Sequence, residues 1–96
     1  MKDILFDFGE ALKALKNGRV VARKAWKCEG MFLTLQNSSE VEGTNMRNEP
    51  AKNYYGKNNV KINPHIDMKA ADDTYVVGWI PSQIDILAED WYVVKI

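Results

Sequence analysis

The clearest periodic pattern along the chain lies near the N-terminus, where apolar residues recur at helical spacing. Asp7 and Glu10 have the spacing of a capping box, and Asn17 with Gly18 offers a left-handed stop. This pattern predicts an amphipathic helix of about ten residues whose apolar stripe packs against the core. The apolar residues of the stripe are Phe8, Ala11, Leu12 and Leu15.

Alternating and β-branched segments predict strands through most of the remaining chain. Two pairs of them, each joined by a short polar turn, are typical of β-hairpins. The first hairpin joins Arg19–Trp26 to Met31–Gln36, and the second joins His65–Lys69 to Thr74–Trp79. A short alternating stretch at Val60–Ile62 precedes the second hairpin, and Trp91–Ile96 is the last predicted strand.

A second short helix is predicted where Pro81 and Ser82 follow the second hairpin. Ser82 is suited to cap it, and Asp85, three residues further on, comes close to the capping-box form. The side expected to be buried carries Ile84, Leu87 and Ala88.

The segment at about 37–59 is polar, with few apolar residues, and is expected to form a long surface loop. Tyr54 and Tyr55 are exceptions within it. Two interpretations of this pair stay open: they cover a ligand or a neighbouring subunit, or they anchor the loop locally.

The predicted fold class is therefore α+β. Residues 1–96 are expected to form a single small domain, with an antiparallel sheet of about five strands and two short helices.

Charge is balanced overall but unevenly distributed. The formal net charge is zero, which argues against nucleic-acid binding. Residues 1–36 carry seven basic and four acidic side chains, whereas residues 65–96 carry two basic and six acidic ones. This asymmetry suits subunits that pair basic face to acidic face, a local pocket for a small anion, or simply solvated surface charge.

The chain has no long apolar run and no secretory signal pattern, so neither a membrane span nor export is expected. The expected location is the cytoplasm. Cys28 is the only cysteine, which excludes an internal disulfide or a zinc site of several thiolates within one subunit. Cys28 is expected to be a small, half-buried hydrophobe rather than a nucleophile.

Motifs of catalysis are missing from the sequence. It contains no phosphate loop, dinucleotide fingerprint, metal-ligand cluster or nucleophile elbow. His65, Asp67 and Asp85 could be assembled into an acid–base set, but their spacing does not require it. Neither an enzymatic activity nor a cofactor or metal is expected.

Three tryptophans are many for so small a core, and two of them, Trp26 and Trp79, stand at predicted strand ends beside polar residues. That placement suits stacking on a flat heterocycle, while packing in a core or interface is the alternative. The helix end at Ser82 and the side chain of Arg23 would attract a phosphate. Gln83 and Asp85 supply hydrogen-bonding groups of the kind that bind ribose or base edges.

Four segments of the chain resemble a family of small phage and prophage proteins that includes the second class of Thoeris anti-defence proteins. The segments are FGEALKALKNGRVVARKAW (8–26), MFLTLQ (31–36), PHIDMKAAD (64–72) and GWIPSQIDILAEDWYVV (78–94). The resemblance covers nearly the whole chain except residues 37–59, and the block from Trp79 to Trp91 is its most specific part.

The resemblance implies a homotetrameric sponge that binds and sequesters a cyclic ADP-ribose-type signal, of the glycocyclic ADP-ribose class, without cleaving it. Some members resemble sponges for cyclic oligonucleotide signals of CBASS immunity, and whether this chain shares that capacity stays open. The chemistry of the candidate side chains and the family resemblance together imply a role for each. Trp26 and Trp79 are expected to be stacking platforms and Met68 an apolar wall; the remaining ligand contacts would come from Arg23, Ser82, Gln83 and Asp85.

A subunit of this size can hardly enclose a ligand with two riboses, so the pocket is expected at a subunit interface. Two alternatives remain at this point. One is a phage protein that binds a host protein through exposed aromatic residues, and the other is an enzyme that degrades the signal.

Overall fold

The structure is a computed structural model that describes residues 4–27 and 30–95. Cys28 lies outside the described residues, so its expected burial is not tested. The helices are α1 (Phe8–Lys16), α2 (Glu49–Tyr55) and α3 (Gln83–Leu87). The strands are β1 (Val20–Arg23), β2 (Phe32–Gln36), β3 (Ser39–Glu42), β4 (Asn59–Ile62), β5 (His65–Lys69), β6 (Tyr75–Val76) and β7 (Trp91–Val94).

Helix α1 begins and ends where the sequence signals predict. The carboxylate of Asp7 accepts a hydrogen bond of 2.9 Å from the backbone N–H of Glu10, which satisfies one of the free N–H groups of the first turn. At the other end Gly18 has a φ of +80°, a conformation that glycine adopts without steric cost.

Five strands form one antiparallel sheet in the order β6-β5-β2-β1-β7. The pairing of β1 with β2 and of β5 with β6 confirms both predicted hairpins, and β7 joins the far edge beside β1. Long-range pairing holds the centre together, since Leu33 lies opposite Val21 on one side and Met68 on the other. The α+β class and the five-stranded antiparallel sheet are thus confirmed, and the structure adds a third helix.

The core lies between α1 and one face of this sheet. Its fully buried members are Ala11, Leu15, Val21, Leu33 and Trp91. Trp91 is the largest of them, and its ring lies 5.3 Å from that of Phe8, measured between centroids. Because its ring is fully buried, Trp91 removes more apolar surface from water than any other member of this core.

The segment expected to form a long surface loop forms regular elements instead, so that prediction is wrong. Strands β3 and β4 pair in a separate two-stranded sheet, with α2 in the connection between them. Asn48 caps α2 by accepting a hydrogen bond of 3.1 Å from the backbone N–H of Ala51. Gly43 packs against the backbone of Gly56. A Cβ atom added at Gly43 would lie only 2.5 Å from the carbonyl oxygen of Gly56.

The structure also corrects the predicted buried side of α3. Ile84 and Leu87 were expected to pack inward, but they are 73% and 74% exposed, while Ala88 is half-buried. Helix α3 comprises five residues, and it contacts α1 at few positions. Among the described residues, none of the helices has the length and apolar character needed to cross a membrane.

Candidate functional site

The three tryptophans, far apart in sequence, meet in one cluster. The ring centroid of Trp26 lies 5.4 Å from that of Trp91 and 6.4 Å from that of Trp79, and Trp79 lies 6.3 Å from Trp91. All three pairs are edge-to-face, an arrangement that aromatic rings favour. Trp91 is fully buried, whereas Trp26 and Trp79 are half-buried at the margin of the core. Trp91 is therefore a core residue, and the other two retain accessible surface.

Trp26 is placed by a tight turn that follows β1. Residues Lys24–Trp26 form a short 3₁₀ helix that ends at Lys27 with a left-handed φ of +56°. The carboxylate of Asp90 accepts a hydrogen bond of 2.9 Å from the backbone N–H of Ala25, and the Asp90 carbonyl accepts one of 3.0 Å from Lys24. The residue immediately before β7 thus fixes the turn that carries Trp26.

Arg23 lies at the centre of an ionic network with Asp85 and Asp90. Its Nε donates to Asp90 at 2.8 Å, and its Nη1 donates to Asp85 at 2.9 Å. The hydrogen bond to Asp90 raises the pKa of the Arg23 guanidinium, although burial works against it. From the sequence, Arg23 was expected to contact a phosphate. With two carboxylates already bound, the guanidinium is better suited to positioning α3 and β7 than to direct phosphate contact.

The same network lowers the pKa of both carboxyl groups. Burial alone would raise the pKa of Asp90, but hydrogen bonds from Arg23 and from the backbone of Ala25 outweigh it. Burial likewise opposes ionisation of Asp85, and hydrogen bonds from the backbone and hydroxyl of Ser82 and from Arg23 outweigh it. Both groups therefore stay ionised well into the acid range, which makes them poor proton donors at neutral pH.

Ser82 and Asp85 form a complete capping box at the start of α3. The Ser82 hydroxyl accepts a hydrogen bond of 3.1 Å from the backbone N–H of Asp85, and the Asp85 carboxylate accepts one of 3.1 Å from the backbone N–H of Ser82. This confirms the predicted cap. It also commits the Asp85 carboxylate, which sequence analysis assigned to a ribose or base, to the protein itself. Gln83, the first residue of the helix, is exposed.

Met68 lies on β5, and Trp79 follows β6, the edge strand that pairs with β5. Met68 pairs with Val76 of β6 and is partly buried against the core cluster, as are Trp26 and Trp79. The backbone N–H of Trp79 donates a hydrogen bond of 2.7 Å to the carbonyl of Ile66. The structure therefore brings Trp26 and Trp79 together beside the Arg23 network. Met68 lies on the strand that pairs with β6, and Ser82 follows Trp79 by three residues in the chain.

Two features of this region went unnoticed in the sequence. The first is Asp90, whose position directly before the tryptophan that begins β7 gives no sign in the sequence of its contact with Arg23. The second feature is a set of exposed aliphatic side chains on α3 and on the segment that leads into it, called here the apolar strip. The strip consists of Val77, Ile80, Ile84 and Leu87.

An open groove of about 360 Å³ lies elsewhere, between α1 and β7. None of the predicted site residues lines it; its lining includes Phe6, Glu10, Lys13, Arg19 and Val93. The groove is therefore distinct from the tryptophan cluster. Within the described parts of the chain, no group of three or more His, Cys, Asp or Glu side chains is arranged to hold a metal ion.

Comparison with known proteins gives two matches. The family model described as Thoeris anti-defense 2-like domain matches residues 6–94. A protein of Bacillus phage SP01 named Thoeris anti-defense 2 is 39% identical over 94 residues, which cover 92% of this chain and 93% of that relative. Every residue of the tryptophan cluster and of the ionic network lies inside the matched region.

Proposed function

Because this chain belongs to the Thoeris anti-defense 2-like family, we propose that it is a phage sponge that binds a cyclic ADP-ribose-type signal of Thoeris immunity and withholds it without cleaving it. Membership of the family supports a role in phage anti-defence. The proposal places this action in the cytoplasm of the infected cell.

The observation that carries the proposal is the pairing of two half-buried indoles inside the matched region. Trp26 and Trp79 stand with centroids 6.4 Å apart, next to the polar start of α3. An adenine or nicotinamide-derived ring stacks well on indole surface, and such stacking is worth about 1–3 kcal/mol per base in nucleotide-binding proteins. Met68 would extend the apolar wall, because its thioether adapts to irregular shapes.

The polar contacts of the proposed site come from residues with groups still free to bind. Gln83 is exposed and carries both an amide donor and an acceptor. Ser82 retains one lone pair on its hydroxyl, which already accepts from the Asp85 backbone and donates to the Asp85 carboxylate at 2.9 Å. Arg23 and Asp85 then act by holding α3 and the Trp26 turn in place, rather than by touching the ligand.

The proposed assembly is a homo-oligomer that holds the signal where subunits meet. The family resemblance implies that this oligomer is a tetramer. In the apolar strip, Ile80 is 85% exposed and its three companions are at least 70% exposed. Since Ile84 and Leu87 of the strip lie on α3 and Ser82 caps that helix, a second copy seated on the strip would lie beside the proposed site. Apolar burial of four aliphatic side chains would contribute roughly 1.5–3 kcal/mol for each fully buried one.

An enzymatic role has little support from the arrangement of acidic groups. Asp85 and Asp90 are both paired with Arg23 and have a lowered pKa, so neither is poised to donate a proton. The apolar strip does favour one other candidate, a protein of the host that binds there. In that case the strip, and not the tryptophan pair, would determine activity.

A release experiment separates these functions. The protein is incubated with the cyclic signal, separated from free ligand, denatured by heat, and the released nucleotide is identified by mass spectrometry. A sponge returns the intact signal, an enzyme returns an altered product, and a protein-binding module retains no nucleotide before heating. Trp79→Ala should retain less signal, whereas Lys61→Ala, which changes an exposed residue of β4, should retain as much as wild type. Recovery of cleaved signal, or of none, contradicts the proposal.

A further inference from the structure

Asp67 is the one charged residue classed as buried among those that the structure describes. It is 3% exposed and lies on β5, opposite Thr34 of β2. An ionised carboxylate in such a place is costly unless hydrogen bonds and charges compensate for the lost water. His65 and Lys69 lie two positions to either side of Asp67 on β5 and therefore share its face of the sheet. The contacts of Asp67 indicate what it does.

One carboxylate oxygen of Asp67 accepts a hydrogen bond of 3.0 Å from the backbone N–H of Gly78. The other lies 3.5 Å from Nε2 of His65, whose Nδ1 lies 2.9 Å from the carbonyl oxygen of Asn63.

Gly78 is the turn that leads from β6 to Trp79. Its φ is +83°, which an L-residue adopts only with strain. Strand β6 has just two residues, so regular pairing with β5 stops at Val76. Beyond that point two consecutive N–H groups still bind β5: Gly78 binds the Asp67 side chain, and Trp79 binds the Ile66 carbonyl at 2.7 Å.

We infer that Asp67 is a positioning residue, whose buried carboxylate holds the Gly78 turn and thereby sets where the Trp79 indole stands against Trp26 and Trp91. The carboxylate takes the place of a ladder hydrogen bond that the short strand cannot make. Without it the turn is tied to β5 by the Trp79 N–H alone, and the indole loses its fixed position. The effect on signal affinity rests on the proposed function, while the effect on Trp79 itself does not.

The test compares Asp67→Ala with Asp67→Asn, because the asparagine amide oxygen can still accept from Gly78. Protein labelled with 5-fluorotryptophan is studied by fluorine NMR, and the Trp79 resonance is assigned with Trp79→Phe. We expect Asp67→Ala to shift or broaden the Trp79 resonance, and Asp67→Asn to restore it towards its wild-type position. Asp73→Asn, at a side chain 88% exposed, is the matched charge control and should change nothing.

An unchanged Trp79 resonance in Asp67→Ala, or identical spectra of the alanine and asparagine variants, would overturn the inference. If Asp67→Ala does not fold, Gly78→Ala disturbs the same turn through its backbone, and an unmoved Trp79 resonance there overturns it equally. A calorimetric titration with the cyclic signal completes the test: Asp67→Ala should bind roughly tenfold more weakly and Asp67→Asn nearly as wild type. If wild type binds no signal, the proposed function fails, and the NMR comparison still decides the role of Asp67.

Discussion

The indole N–H of Trp91 donates a hydrogen bond of 3.0 Å to the backbone carbonyl of Asp85, so the central core residue is tied directly to α3. Trp91 is fully buried and packs against Phe8 and Trp26. One side chain therefore links the first helix, the sheet, and the short helix beside the proposed site. Disturbing it should affect both stability and the placement of α3.

Replacing Trp91 by phenylalanine removes this hydrogen bond and leaves a space in the core. We expect Trp91→Phe to lower the free energy of unfolding by about 2 kcal/mol or more, from the lost hydrogen bond and the unfilled volume together. Urea denaturation followed by circular dichroism measures the change. Tyr54→Phe, at an exposed residue, is the control and should stay within about 0.5 kcal/mol of wild type. An equally small change in Trp91→Phe would contradict the central role of this residue.

Arg23→Met leaves two carboxylates without their shared cation. Because the guanidinium and both partners are largely shielded from water, we expect a loss of about 2 kcal/mol in the free energy of unfolding. Lys13→Met breaks the exposed pair with Glu10 and should cost at most about 0.5 kcal/mol. Arg23→Lys should not recover the loss, since one ammonium cannot reproduce both hydrogen bonds. Equal losses in Arg23→Met and Lys13→Met would refute this assignment.

Acid should weaken the same network in a defined direction. The pKa values of Asp85 and Asp90 lie below the ordinary value of 3.8, so their contribution to stability is complete above that pH. It is lost as the pH falls through the lower pKa values of the folded state, because a protonated carboxyl no longer forms an ion pair with Arg23. The difference in unfolding free energy between wild type and Asp90→Asn should therefore shrink as the pH is lowered from 6 towards 2.5. A difference that is constant over this range would rule out the ionic contribution.

The apolar strip makes a prediction about assembly. Ile84→Asp places a charge in the middle of the strip, and burying an unpaired carboxylate between subunits is strongly unfavourable. We expect this variant to lose its oligomeric state in sedimentation velocity while keeping the circular dichroism spectrum of wild type. Lys61→Asp, at an exposed residue of β4, is the control and should leave assembly unchanged. Sedimentation of wild type and Ile84→Asp as the same species would exclude the strip as a subunit interface.

Local signals in the sequence predicted much of the fold. The Asp7 cap, the Gly18 stop and the Ser82–Asp85 box are short-range interactions, and each is present in the structure. The two hairpins also follow from alternation and turn residues that lie close together in the chain. Helix α2 was missed because none of its residues is buried, so it carries no apolar stripe to detect.

Partners distant in sequence explain most of what could not be predicted about the site. Nothing near Arg23 in the chain indicates that Asp85 and Asp90 will neutralise it, and so its guanidinium looked available for a phosphate. The exposed face of α3 was misassigned for a different reason. Helical periodicity shows which side is apolar, but it cannot tell whether that side is buried in the core or left exposed.

The central claim, reversible capture of a cyclic ADP-ribose-type signal by the tryptophan site, is tested most directly by native mass spectrometry with that signal. Wild-type protein should appear as an oligomer carrying a mass increase equal to the intact ligand. Trp79→Ala should lose about 2 kcal/mol of binding free energy, and with it most of the bound fraction at low ligand concentration. A wild-type protein that stays monomeric and gains no mass from the signal would contradict the account.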